Sequence, residues 1–133
     1  MRRALLAIAL WLAPFGVFAQ SPGGTFSQSA AAEATHVFKS TGPGNLYTVY
    51  ATNFTATAGY LVVVGSTTVP ADGAIVPIDC SPLPALGVGS VVYQAITGPG
   101  PVPLGVVVIL TSAATCFTKT TGVITGFIKA NVQ

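Results

Sequence analysis

Apolar residues in this chain come in short runs separated by glycine, proline, asparagine and aspartate, and these runs read as strands. The longest past the N-terminus is Leu104–Leu110 (LGVVVIL), continued by Thr111 and Ser112 towards Cys116. Valine and isoleucine lose side-chain freedom in a helix but suit a pleated sheet. A strand apolar on both faces needs cover on both faces. Tyr60–Val64 (YLVVV) has the same character, and the two are predicted to be central strands.

The remaining runs are weaker. Thr35–Lys39 is a predicted first strand. Leu46–Thr52 alternates, with Leu46, Thr48, Tyr50 and Thr52 on one face and Tyr47, Val49 and Ala51 on the other. Ile75–Cys80 contains Pro77 and is expected at an edge or bulge, and Ser81–Pro84 continues it in extended form. Ser90–Thr97 and Val123–Val132 complete the set. In the last strand Ile124, Ile128, Ala130 and Val132 are expected inward around Gly126, with Thr125, Lys129 and Asn131 outward and Phe127 an apolar exception on that side. Ser40–Asn45 and Pro70-Ala71-Asp72-Gly73 are predicted turns, the second because Asp-Gly tolerates positive φ. Gly98, Pro99, Gly100, Pro101, Val102 and Pro103 are predicted to form an exposed loop, and they are the candidate contact loop. No segment past the N-terminus has helical periodicity. The fold class is therefore all-β: an antiparallel β-sandwich of about seven or eight strands, Ig-like or jelly-roll-like, over 35–133.

The N-terminus follows another pattern. Arg2-Arg3, an apolar segment Ala4–Ala13 and Val17-Phe18-Ala19 have the order of a secretory leader, so residues 1–19 are expected to be a signal helix removed after Ala19. The apolar stretch is short for a membrane anchor and contains Pro14, so contact with the membrane is expected only in transit. Residues 20–34 (QSPGGTFSQSAAAEA) are small and polar and are expected to be a flexible arm, with one helical turn over Ala30–Ala34 as an option, capped by Ser29.

Removing the leader changes the charge picture. Lys39, Lys119 and Lys129 then balance Glu33, Asp72 and Asp79, and the net charge is zero. Three scattered lysines do not form the clustered basic face that grips phosphates, so no nucleic-acid partner is expected. So sparse a set of charges leaves threonine, serine, glycine and asparagine to solvate the surface. Such a surface suits repeated subunit contacts, where an unpaired charge is costly to bury; an ordinary low-charge secreted domain has the same composition. The only cysteines, Cys80 and Cys116, are expected to form a structural disulfide behind an export signal, two free buried thiols being the alternative. The bond closes a loop worth ~4 kcal/mol by chain entropy.

Candidate chemistry is thin. His36 is the only histidine, and no nucleophile-elbow pattern accompanies it. Asp72 and Asp79 are the nearest acidic pair; a calcium site or a glycosidase pair would have to be made from them. Tyr47, Tyr50, Tyr60 and Tyr93 are read mainly as packing residues, with a glycan surface as the alternative. Asn53-Phe54-Thr55 matches a glycosylation tripeptide but is read as an ordinary loop sequence. No catalytic residue, metal ligand or cofactor is assigned, and the chain is expected not to be an enzyme.

Three stretches taken together, Thr57–Val64, Pro70–Pro77 leading to Cys80, and Cys116-Phe117-Thr118-Lys119-Thr120, resemble a family of small β-sandwich proteins encoded by bacteriophages and prophages. The likeness covers about Leu46–Gln133. It implies a virion surface or decoration component and transfers no active-site residue. The expected function is a non-enzymatic structural protein of a phage particle or exported assembly, self-associating or joined to other proteins. The alternative is a secreted bacterial binding module that recognises a glycan or surface partner through its loops. Either is expected outside the cytoplasm.

Overall fold

A computed structural model describes residues 26–41, 43–92, 100–102, 104–120 and 122–133. The expected leader, residues 20–25, the strand residues 93–97 and the loop residues 98, 99 and 103 lie outside these. The described residues are all-β and antiparallel, with no helix. The strands are β1 (Phe26–Gln28), β2 (Thr35–Lys39), β3 (Gly44–Asn53), β4 (Gly59–Val64), β5 (Gly73–Ala74), β6 (Asp79–Leu83), β7 (Val88–Val92), β8 (Gly100–Val102), β9 (Val106–Thr111), β10 (Thr118–Lys119) and β11 (Gly126–Val132).

One sheet has the order β1-β11-β3-β7, with β8 also paired to β3; the second has the order β2-β9-β4-β6; β5 and β10 form a two-stranded ribbon. The chain alternates between the two larger sheets, so β1 and β2, β3 and β4, and β6 and β7 are each split between them. Their inward side chains share one core: Leu46, Val49 and Ile128 from the first meet Leu61, Val108 and Leu110 from the second.

The two apolar runs have the cover they require. Every residue of β9 is buried, as are Leu61–Val64 of β4. Leu61, Val63, Val106, Val108 and Leu110 face the shared core. Val62, Val64, Val107 and Ile109 face the other way, beside Val37, Tyr60 and Cys80 of the same sheet and packed with Ile75 and Cys116 from outside it. The Cys80–Cys116 disulfide, with a Cα–Cα distance of 6.2 Å, holds that outer cover in place. Asp72-Gly73 turns into β5 with Gly73 at φ 119°, a conformation glycine adopts without penalty.

Several expectations need correction. Residues 26–34 are not a free arm. β1 pairs with β11, Ser29 donates its N–H to the Ile128 carbonyl (2.8 Å) and accepts the Ile128 N–H through Oγ, and Glu33 and Gly126 exchange both backbone bonds. Ala30–Ala34 forms no helical turn. The strict alternation of Leu46–Thr52 fails at Tyr47. Asn131 pairs with Thr48 and Val132 with Leu46, so a bulge turns both Leu46 and Val49 inward. The strand expected at Ile75–Cys80 begins only at Asp79 and runs to Leu83, with Pro82 tolerated because β6 is an edge. The last strand starts at Gly126 rather than Val123.

The Gly98–Pro103 loop is the largest correction. Gly100–Val102 is strand β8, with Gly100 opposite Leu46, Pro101 opposite Asn45 and Val102 opposite Gly44. Val102 is buried in the shared core. A proline fits there because β8 lies at the sheet margin.

Candidate interaction surface

The groups singled out for chemistry are held apart by the sheet. His36, Val108, Val63 and Asp79 form one cross-strand row, with His36 and Asp79 at its two ends. Three interstrand spacings put their backbones about 14 Å apart. His36 Nδ1 lies 2.5 Å from Glu33 Oε1, and its ring meets Phe38 edge-on at 4.5 Å. Asp79 Oδ1 accepts the Cys80 N–H at 2.7 Å. Asp72 accepts from Lys119 Nζ at 2.8 Å. Each carboxylate thus has a local structural partner, and among the described residues no three metal-ligating side chains gather. Tyr47 donates its hydroxyl to Gln133 Oε1 at 3.0 Å, Tyr60 packs into the outer apolar cluster, and Tyr50 is exposed. Tyr93 lies outside the described residues.

Asn53 has a larger role than the tripeptide pattern suggested. It is buried at the end of β3. Its Nδ2 donates to the carbonyls of Thr57 (2.8 Å) and Pro84 (2.9 Å), and its Oδ1 accepts the Thr55 N–H and hydroxyl, both at 2.8 Å. Its backbone N–H donates to Gly87, that of Phe54 to Thr125, and that of Leu86 to Thr55. The Asn53 side chain therefore ties the β3–β4 connection to the β6–β7 connection, and the Phe54 backbone beside it joins the β10–β11 connection. Buried in this way, the Asn53 side chain is not presented for modification in the folded chain.

Exposed apolar side chains collect at this end and on the adjoining outer face of the first sheet. Phe54 (47% exposed) and Phe127 (38%) meet edge-on with ring centroids 5.3 Å apart. Leu86 is 71% exposed and held at φ 49°, a left-handed backbone that disfavours leucine. Behind them, register places Val88 opposite Thr52 and Phe127, Ser90 opposite Tyr50 and Lys129, and Val92 opposite Thr48 and Asn131. Val88 and Val92 are more than half exposed. Lys129 is the one charged residue in these rows. The Phe54, Leu86 and Phe127 end of this surface lies at the opposite end of β3 from β8, whereas Val92 lies two residues along β3 from it.

Sequence reasoning missed this surface because Val88, Val92 and Phe54 resemble core residues in a one-dimensional pattern. Only the register, which sets Val88 and Val92 on the face opposite Val91, separates them. Comparison with family models, curated proteins and solved structures finds no match. The surface itself is what bears on function.

Proposed function

We propose that this chain is a non-enzymatic structural protein, an exported jelly-roll β-sandwich that packs in multiple copies as a surface or decoration component of a phage particle or similar exported assembly. The observation that carries this reading is the outer face of the β1-β11-β3-β7 sheet with its adjoining end. Phe54, Leu86, Val88, Val92 and Phe127 are exposed there and Lys129 is the only charge among the paired rows. An apolar surface of this kind on a soluble domain marks an interaction site. The strand orders support the fold assignment: they are those of eight strands in two antiparallel sheets wound as Greek keys, with β7 and β8 counted as one interrupted strand. An Ig-like sandwich divides its strands differently. Jelly rolls build capsid and lectin domains, which is support by analogy of fold. The disulfide supports an oxidising, exported setting. The phage resemblance of the sequence supports the virion setting.

The test is size-exclusion chromatography with light scattering on the mature chain over a wide concentration range. Concentration-dependent association is expected. A chain that stays monomeric throughout overturns the reading.

A second reading is favoured by the aromatic pair. Phe54 and Phe127, exposed where three connections converge, offer a surface on which a sugar ring can stack. In this reading the chain is a secreted binding module. Glycan-array binding lost in both Phe54→Ala and Phe127→Ala variants would favour it over self-assembly.

A further inference from the structure

Of the four sheet margins, three carry the features that discourage strand addition. β6 has Asp79 and Pro82. β2 has His36 and Lys39 and a bulge between Val37 and Lys39. β1 has three residues among those described. The fourth margin is shared by β8, which carries Pro101, and β7, which reads Val88-Gly89-Ser90-Val91-Val92 with no charge, no proline and no bulge in its pairing with β3.

Its free backbone groups follow from the register. The Asn53 N–H donates to the Gly87 carbonyl at 2.7 Å. Antiparallel ladders alternate, so Gly89 and Val91 bond to Ala51 and Val49. Val88, Ser90 and Val92 therefore turn their N–H and C=O groups away from β3, and no described strand lies on that side. Their side chains stand on the exposed face. Leu86, exposed in its disfavoured backbone conformation, sits at the entry to this strand.

Resting on the self-association reading above, we propose that β7 is the pairing edge and that its occupant is β7 of a second copy, added antiparallel about a two-fold axis at Ser90. This register sets Ser90 against Ser90 and Val88 against Val92 in hydrogen-bonded pairs. Hydroxyl meets hydroxyl, valine meets valine and no like charges face each other. The charge balance selects a like partner: an uncharged strand facing its own copy buries no unpaired charge, whereas a charged peptide would. The two sheets become one continuous sheet, and the two exposed valine rows merge into one face. A strand pair of this length gives a contact in the small, transient class, so association is read from micromolar to millimolar concentrations.

The experiment uses Ser90→Pro, Ser90→Lys and Ser90→Asp in the mature chain. Proline at 90 removes an N–H that the β3 ladder does not use, so the fold is expected to survive, with an unchanged circular dichroism spectrum. Light scattering is expected to show a dimer for the native chain and monomers for Ser90→Pro and Ser90→Lys. Mixing Ser90→Lys with Ser90→Asp is expected to restore the dimer, because opposite charges then face each other across the axis. A dimer that persists in folded Ser90→Lys overturns the β7 proposal but leaves self-association standing. A native chain that is monomeric at every concentration overturns both.

Discussion

Lys119 and Asp72 form an ion pair with one buried partner: Nζ lies 2.8 Å from Oδ1, and Lys119 is 5% exposed while Asp72 is about half exposed. The pair spans the β5–β10 ribbon, where Lys119 stands opposite Gly73. Removing the acid strands a buried ammonium, whereas removing both charges does not. Asp72→Ala is expected to lower unfolding stability by about 1–3 kcal/mol, discounted from a fully buried pair because Asp72 faces water. The double variant with Lys119→Met is expected to lose less than Asp72→Ala alone. Urea titration of the three variants checks the ordering.

The disulfide restrains the unfolded chain and clamps the outer cover of β4 and β9. Cys80→Ser with Cys116→Ser, or reduction, is expected to cost about 4 kcal/mol. Amide hydrogen exchange should then rise first around Ile75 and residues 112–117, before β9. If β9 exchanged as early as those segments, the disulfide would be holding the whole core rather than its cover.

Asn53→Ala removes the shorter of two bonds to each of the Thr57 and Pro84 carbonyls, which keep Thr55 Oγ1 (3.4 Å) and the Gly87 N–H (3.2 Å), and leaves the Thr55 N–H without its acceptor. A loss of about 1–3 kcal/mol is expected, since a buried side chain that makes four hydrogen bonds is removed and the half-buried Thr55 N–H loses its acceptor. Asn53→Asp keeps the acceptor for Thr55 but sets a carboxylate against two carbonyl oxygens, so it is not expected to rescue. Thermal unfolding of both variants tests this.

Leu86 occupies a left-handed backbone position with its side chain in water. Asparagine accepts that conformation more readily. Leu86→Asn is expected to stabilise the monomer by roughly 0.5–1 kcal/mol, and denaturant melts at low concentration would show it. If instead it destabilises, the leucine packs against something that its exposure does not reveal.

Much of the fold was legible in the sequence where the physics is local. The two-sided valine runs of β4 and β9 announce strands covered on both faces, and Asp72-Gly73 announces its turn. What was illegible depends on neighbours distant along the chain. Phe26-Ser27-Gln28 has no strand pattern, yet β11 offers its edge and the Ser29 side chain locks the approach. The bulge opposite Tyr47 lies in the pairing with Asn131 and Val132, not in the alternation of β3 itself. Gly100-Pro101-Val102 has the glycine and proline of a loop, although a sheet margin accepts a proline. The Asn53 hub was hidden because its partners are mainly backbone groups, which carry no residue signature. The exposed apolar face was hidden for the reason given by Val91 and Val92: neighbours of identical type, one buried and one exposed.

β7 and β8 lie along the same side of β3, Val92 facing Thr48 and Gly100 facing Leu46. Their anchor points on β3 are thus two residues apart, about 7 Å. Bridging anchors this close costs little, since each doubling of a connection's length adds only about 0.6 kcal/mol of closure entropy. Both anchor strands take their register from β3, so exchanging residues between them is expected to leave the packed interior undisturbed.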